Sequence, residues 1–510
     1  MPDATPTLSL TLVAAILAFS YFALFSRPRK SPSALSCPPG PNGLTSMPAL
    51  APWVQFQKWG NEFGELVYLQ DRNILILNHS RVAIDLLEKR ARIYSDRRVT
   101  PVMDLFGTST ILSLMATIPQ RYSPDWRFHR KLFQQTFRQA AVPYFFPAQY
   151  SKTHELLNSL ITDPNNFMQH VMALSQRVIY ESLYSLDIPA DHPLAKKSIT
   201  AMDAVGASLV NGTFPLFERF PFLRFMPAWF PGCGFKQQAI ECSAILEEVN
   251  LIPFNIAVDN LKSGSRTSLI AELVMKSEGN LAQIEAIQSM GLVSFIAAAD
   301  TTMSSISSFL LCMCLYPDTQ QKGQEELDRV VGRDRLPTFE DRNSLPYVEA
   351  IYREVMRLHP AVPLGVSHQS TEDDTYGGYH IPKGCEVIPN IWAMSRDPEL
   401  YHEPHEFIPE RFIESEDGPF GSINDILAYG FGRRVCAGRH MADNTVWLAI
   451  ASVLATFALG KAKDENANEI DISNEFTEGF FRHPKPFQCS IVPRTPNAKD
   501  LISAATLANE

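Results

Sequence analysis

The chain has 510 residues, 45% of them hydrophobic and 20% charged, which is the balance of a globular protein with a sizeable core. Its net charge of −10 gives no electrostatic case for a nucleic-acid partner, because such proteins need concentrated basic surface. Its cysteines are scattered and form no CxxC pair, which favours a reducing compartment and argues against structural zinc.

An uncharged apolar run, residues 7–26, lies near the N-terminus and is followed at once by Arg27, Arg29 and Lys30. About 20 apolar residues cross a bilayer as a helix, and the basic cluster behind them favours a cytosolic position for the rest of the chain. A cleaved secretory signal is the alternative, but the run is long for one and no basic segment precedes it. We therefore expect residues 1–30 to be a single-pass membrane anchor with its basic stop.

A proline-rich stretch, residues 31–47, follows the apolar run. Proline fixes φ and cannot propagate a helix, so we expect a stiff, extended linker. No second linker, repeat or low-complexity tract is found downstream, and residues 48–510 are interpreted as one large domain.

Helical patterns dominate this domain. Ser123-Pro124-Asp125 has the features of a helix start, namely a serine cap, a proline at the first position and an acid in the first turn. A long helix is predicted over residues 281–315. Short strands are predicted at residues 65–69, 73–78 and 385–391. The fold class is therefore mainly α with small β-sheets.

The long helix carries Asp300 and Thr301 in the middle of an apolar run. Burying an acid there is costly unless it is partnered or functional. The Thr301 hydroxyl can bond back to the carbonyl of Ala297 and open a groove for dioxygen or water. On its own this feature favours a plain polar contact between packed helices. The acidic Asp300 at its centre argues against a transmembrane helix.

His402 and His405 have a superficial similarity to a zinc-hydrolase motif. That motif needs two histidines four residues apart on one helix. Here they are three apart, and Pro404 between them breaks a helix. The sequence therefore does not support a zinc site.

Cys436 lies in the segment YGFGRRVCAG, residues 429–438, just before a predicted apolar helix over residues 441–459. The positive end of the helix dipole and the neighbouring arginines favour a thiolate. Gly432 and Gly438 let a flat macrocycle approach the backbone, and Arg434 can pair with a carboxylate at its edge. A buried structural cysteine is the alternative, but it explains neither the glycines nor the arginines.

This segment resembles the haem-binding loop of the cytochrome P450 family, F-x-x-G-x-R-x-C-x-G. It matches at Gly432, Arg434, Cys436 and Gly438, and it departs at Tyr429, where phenylalanine is usual. The resemblance covers nearly the whole chain. It implies the cytochrome P450 fold in a single catalytic domain, with haem b (iron protoporphyrin IX) whose iron is bound by the Cys436 thiolate.

The resemblance also implies roles for other segments. Residues 297–302 resemble the oxygen-activation motif, with Ala298 where glycine is more common, and residues 354–357 and 407–412 are similar to the ExxR and PERF elements. Proton delivery is implied for Asp300 and Thr301, a structural ionic network for Glu354, Arg357 and Arg411, and contact with the haem propionates for Trp126, Arg130 and His368. For His368 a satisfied surface histidine is the alternative.

The implied activity is that of a haem-thiolate monooxygenase using O₂. No NADPH or flavin fingerprint is found, so the resemblance implies a separate NADPH–cytochrome P450 reductase in the same membrane, with cytochrome b5 as an optional second donor. It also implies the endoplasmic reticulum membrane with the catalytic domain facing the cytosol. A non-catalytic haem-binding sensor is the alternative, and Asp300 and Thr301 argue against it because simple haem binding needs no proton relay.

The substrate is predicted to be a lipophilic natural product. The aromatic residues 214–232 would roof the pocket and could dip into the bilayer, with core packing as an equal alternative. The chain looks most like fungal enzymes of secondary metabolism, among which terpenoid, polyketide and indole substrates occur. A terpenoid is preferred because no anchor for an amine is evident, although Glu218 and Glu478 could overturn this. The predicted pocket walls are Ile296, Ala297, Val362, Leu364 and Phe480.

Overall fold

The computed structural model describes residues 35–41, 47–48, 50–98, 100–108, 124–189, 191–210, 213–214, 217, 220–413 and 422–507. The predicted anchor, residues 1–30, lies outside the described residues, and so does part of the predicted linker. The described linker residues 35–41 form no helix or strand and are held against the sheet, since Tyr68 donates its backbone N–H to the Pro39 carbonyl.

The described residues are mainly helical, as predicted. The α-helices are α1 (Pro52–Phe63), α2 (Ser80–Ala83), α3 (Ala91–Tyr94), α4 (Pro101–Leu105), α5 (Pro124–Phe137), α6 (Phe146–Thr162), α7 (Phe167–Ile179), α8 (Pro193–Leu209), α9 (Phe235–Ser263), α10 (Leu269–Lys276), α11 (Leu281–Leu315), α12 (Pro317–Val330), α13 (Pro346–Leu358), α14 (Ile391–Met394), α15 (Arg439–Thr456) and α16 (Ala498–Leu507).

The strands form small sheets. They are β1 (Leu66–Leu69), β2 (Ile74–Leu77), β3 (His368–Gln369), β4 (Asp374–Tyr376), β5 (Tyr379–Ile381), β6 (Glu386–Pro389), β7 (Phe457–Lys461) and β8 (Cys489–Pro493). The largest sheet has the order β1-β2-β6-β3, in which β2 and β6 are parallel and the other pairs antiparallel. Alternate residues of β1 and β2 enter two different apolar clusters, so both faces of these strands are covered.

Helix α11 has the predicted bounds. The Asn280 side chain accepts from the backbone N–H of Gln283 at its start, and Pro317 lies beyond its end. By length and hydropathy alone α11 could cross a membrane. It is instead a core helix, because it packs against α7, α9 and α15 and most of its residues are buried.

The helix that follows Cys436 differs from the prediction at its end. It was predicted over residues 441–459, whereas α15 stops at Thr456 and Phe457 begins β7. The reason is a tertiary contact: β7 pairs with the distant strand β8, and apolar residues such as Phe457 and Leu459 suit a strand as well as a helix.

Candidate active site

A cavity of about 300 Å³ lies between α11 and the loop that precedes α15. Ala297, Ala298 and Thr301 line it from the helix, and Cys436 and Gly438 line it from the loop. Its size and mainly apolar lining are those of a small-molecule site. The predicted site residues that it brings together are Arg130, Ile296, Ala297, Thr301, Val362, His368, Arg434, Cys436, Gly438 and Phe480.

The cysteine loop (residues 429–438) turns sharply around its glycines. Cys436 donates its backbone N–H to the Tyr429 carbonyl at 2.8 Å. Gly432 has a φ of 55°, and a Cβ there would meet the Leu87 carbonyl oxygen at 2.3 Å, so only glycine fits. At Gly438 a Cβ would meet no protein atom within 4 Å, which leaves open space along the backbone at the cavity wall.

The surroundings of the Cys436 thiol differ from the expectation. Burial raises its pKa, and the backbone N–H of Gly438 with the charges of Arg130 and Arg439 offsets part of this rise. The arginines that favour the thiolate are thus Arg130 and Arg439, rather than the sequence neighbours Arg433 and Arg434. A positively charged metal at the sulfur would supply the remaining stabilisation of the thiolate.

Three arginines converge on the cavity, of which Arg97 and Arg434 are buried and Arg130 is half-buried. Arg97, Arg130 and Arg434 all line it, and burial together with their mutual repulsion lowers the pKa of Arg97 and Arg434. The Nε atoms of Arg97 and Arg130 are buried without a hydrogen-bond partner among the described residues. Such a cluster needs anions, and the two propionates of a haem have the required charge.

Arg97 was not predicted as a site residue. It follows α3 and donates to the carbonyl oxygens of Val366 and Ser367. Its neighbour in the chain, Arg98, pairs with Glu386 at 2.6 Å instead. The sequence offers no signal that distinguishes these two arginines, since the distinction arises from tertiary contacts.

His368 lies at the cavity wall and is buried, so the surface alternative is wrong. Its Nδ1 lies 2.7 Å from the Tyr94 carbonyl oxygen, which can only accept, so Nδ1 carries the proton. Burial and the charge of Arg97 lower the pKa of the ring well below its usual value. Contact of the His368 Nε2 atom with a haem propionate stays a prediction. Trp126 lies in α5, but its side chain is outside the described residues.

The two polar residues at the middle of α11 occupy different positions. Thr301 lines the cavity, and its hydroxyl donates to the Ala297 carbonyl at 2.8 Å, the back-bond expected from the sequence. Asp300 is buried but does not line the cavity. Burial, and secondly the charge of Asp203 in α8, raise the pKa of Asp300 to about 7.

An ionic cluster lies on α13, away from the cavity. The fully buried Glu354 accepts from Arg357 at 2.6 Å, from Arg411 at 3.1 Å and from the backbone N–H of Ile408 at 2.8 Å. The segment with the two histidines takes part through its backbone, because the His402 carbonyl accepts from Arg411 and the Pro404 carbonyl from Arg357. The His402 ring itself is exposed.

The pocket walls agree with the predicted positions only in part. Leu364 lines a smaller adjoining cavity of about 70 Å³, together with Glu478. Residues 220–232 and Phe214 do not line the main cavity, where Val205 and Leu209 of α8 lie instead. Glu218 is outside the described residues. No described residue that lines the main cavity is Asp or Glu.

The donor set fits a haem: a cysteine at one wall, a glycine backbone that leaves space, and a cluster of three arginines. The cytochrome P450 family model matches residues 44–491. Cytochrome P450 monooxygenase COX1 of Coprinopsis cinerea is 33% identical over 98% of this chain and 99% of its own length. Tryptamine 4-monooxygenase of Psilocybe cyanescens is 34% identical over 93% of this chain and 96% of its own.

Solved structures show the same fold. A zebrafish cytochrome P450 solved with progesterone has a TM-score of 0.70 at 23% identity, covering 87% of this chain and 100% of that chain. The chain is thus a member of the cytochrome P450 family of monooxygenases, which bind haem through a cysteine thiolate and receive electrons from a separate reductase.

Proposed function

We propose that this protein is a monooxygenase of fungal secondary metabolism that oxidises a neutral, lipophilic scaffold, and that the thiolate of Cys436 would bind its haem. The observation that carries the proposal is the apolar cavity with Cys436 at one wall and Thr301 at the other. Bound haem would supply the activation of dioxygen for the oxidation. Arg97, Arg130 and Arg434 would hold its propionates.

Proton delivery is proposed for Asp300 and Thr301. A carboxyl whose pKa is about 7 both holds and releases a proton at neutral pH. Thr301 has its hydroxyl at the cavity wall, one residue further along the same helix. Asp300 would act as the proton source behind the wall and Thr301 as the donor at the wall. Glu354, Arg357 and Arg411 keep a structural role.

A terpenoid is the proposed substrate class. The absence of an acid among the described lining residues favours a neutral molecule, since a buried amine needs a partner. An indole is the second candidate, because one relative is named tryptamine 4-monooxygenase.

We further propose that residues 1–30 anchor the protein in the endoplasmic reticulum membrane, with the reductase, and optionally cytochrome b5, as electron donors. Residues 220–232 support contact with the bilayer, because Phe225 is 75% and Trp229 81% exposed. Large aromatic side chains at such exposure are typical of membrane or protein contacts.

A spin-state titration of the microsomal protein tests the substrate class. Sesquiterpene and diterpene scaffolds are compared with tryptamine and with aromatic polyketides. We expect a low-to-high-spin shift with the terpenes only. A shift with tryptamine only would show that an acid reaches the cavity and would overturn the terpenoid proposal.

Cys436→Ser is the variant that tests the iron ligand. It should lose the thiolate signature of the ferrous–carbonyl complex, and retention of this signature would overturn the assignment of Cys436.

A further inference from the structure

Tyr429 brings a hydroxyl group into the core where the family pattern has phenylalanine. Its ring is buried, so the phenol needs a hydrogen-bond partner there. The partner is the hydroxyl of Tyr352 at 2.8 Å, a fully buried residue of α13. A phenylalanine at either position could not make this bond.

Tyr352 itself packs against a half-buried charge. The guanidinium of Arg342 lies over the Tyr352 ring at 5.5 Å and over the Trp447 ring at 5.2 Å. Two carboxylates neutralise it, Asp443 at 2.6 Å and Glu349 at 2.8 Å. Trp447 and Asp443 belong to α15, so this cluster joins α13 to the helix that follows the cysteine.

The same tyrosine holds the cysteine by its backbone. The Tyr429 carbonyl accepts the N–H of Cys436 at 2.8 Å. Between them lie Gly430 and Gly432, both with positive φ, which make this part of the loop intrinsically pliant. Tyr429 thus links two parts of the structure. Its side chain bonds to α13, and its backbone carbonyl bonds to Cys436.

We propose that the hydroxyl pair of Tyr429 and Tyr352 is a positioning device for Cys436, which fixes the sulfur relative to the cavity and so sets the strength of its bond to the iron. The inference rests on the proposed function, since it takes Cys436 as the ligand. Both tyrosines are positioning residues and neither is assigned a chemical step.

Tyr429→Phe and Tyr352→Phe test the proposal, because each removes one hydroxyl of the same bond. The readouts are the reduction potential of the haem iron and the rate at which the ferrous–carbonyl complex loses thiolate ligation on warming. We expect each variant to speed this loss about five-fold, as for the loss of one ordinary buried hydrogen bond. The potentials should shift in the same direction, and the double variant should equal either single one.

Tyr180→Phe is the matched control. Tyr180 is buried and its hydroxyl faces that of Ser198 at 3.4 Å, far along the chain from the cysteine loop. This variant should leave both readouts unchanged, whatever its effect on melting temperature. Unchanged ligation in Tyr429→Phe, or additive effects in the double variant, would overturn the positioning role alone. A wild-type protein without the thiolate signature would overturn this role and the proposed function together.

Discussion

The cysteine loop (residues 429–438) and the outer segment (residues 220–232) are both irregular, aromatic stretches, yet they are held in different ways. In the cysteine loop Arg434 donates to the carbonyl of Ser95 at 2.8 Å, 339 residues away, and Gly432 packs on the Leu87 carbonyl. In the outer segment the backbone bonds are local turns, such as Leu223 N–H to the Phe220 carbonyl.

This difference decides what each segment tolerates. Long-range directional bonds fix both the type and the spacing of the residues that make them, so they leave a recognisable motif. Local turns with exposed aromatic side chains constrain the amino-acid composition of a segment more than the positions of its residues along the chain. The first kind of segment is the one proposed to hold the haem, and the second is the one proposed to contact the bilayer.

Glu354→Ala should have the largest effect on the free energy of unfolding. It tests how much the buried ionic cluster contributes to the fold around the cysteine loop. It leaves Arg357 buried without its carboxylate, and we expect a loss of about 3–5 kcal/mol in the free energy of unfolding. Denaturant unfolding measures it. Asp259→Ala is the control, because Asp259 forms an i,i+3 pair with Lys262 that is exposed. Equal losses in the two variants would contradict a buried network.

Asp203→Asn should have an intermediate effect on turnover. It tests whether a residue of α8, the helix that precedes the outer segment in the chain, influences proton delivery by Asp300. Asp203 helps to raise the pKa of Asp300, so its neutralisation should lower that pKa. If protonated Asp300 supplies protons, turnover should fall on the alkaline side of about pH 7, and this limb should move to lower pH in the variant. Burial lowers the pKa of His483 and the charge of Asp203 raises it in part, so the pKa of His483 should fall in this variant as well.

The control for this experiment is Asp191→Asn, an exposed acid just before α8 that changes the net charge equally. An unmoved alkaline limb in Asp203→Asn would remove Asp300 from the relay.

The raised pKa of Asp300 also makes the free energy of unfolding depend on pH. Because the folded pKa of Asp300 lies above its ordinary value of 3.8, its contribution to stability is lost as the pH rises towards about 7.

Trp229→Ser should have the smallest effect on the fold. The side chain is 81% exposed, so we expect the free energy of unfolding to change by no more than about 0.5 kcal/mol. Binding of a form without residues 1–30 to phospholipid vesicles should weaken, as measured by flotation. Unchanged binding would argue against bilayer contact at the outer segment.

The sequence predicts the cysteine loop, the bounds of α11 and the strands β1, β2 and β6 of the main sheet, because each has a local signature in spacing or periodicity; the two-residue strand β3 has no such signature and was not predicted. It does not predict the role of Arg97, which depends on a fold that brings α3 beside Arg434, or the end of α15, which depends on pairing with β8. The exclusion of Leu364 from the main cavity has the same origin, since it lies in a turn closed by the Gly365 N–H and the Val362 carbonyl, and both of these neighbours line the main cavity while Leu364 does not.

The parallel pairing of β2 with β6 has a consequence for synthesis. The partners Ile74 and Glu386 are 312 residues apart, so β2 leaves the ribosome long before the strand that covers its edge. At about 5–20 residues per second the wait is roughly 15–60 seconds. During that time an apolar Ile-Leu-Ile-Leu strand has an unpaired edge. We therefore expect the nascent N-terminal part of this enzyme to depend on chaperones until residues 386–389 have been made.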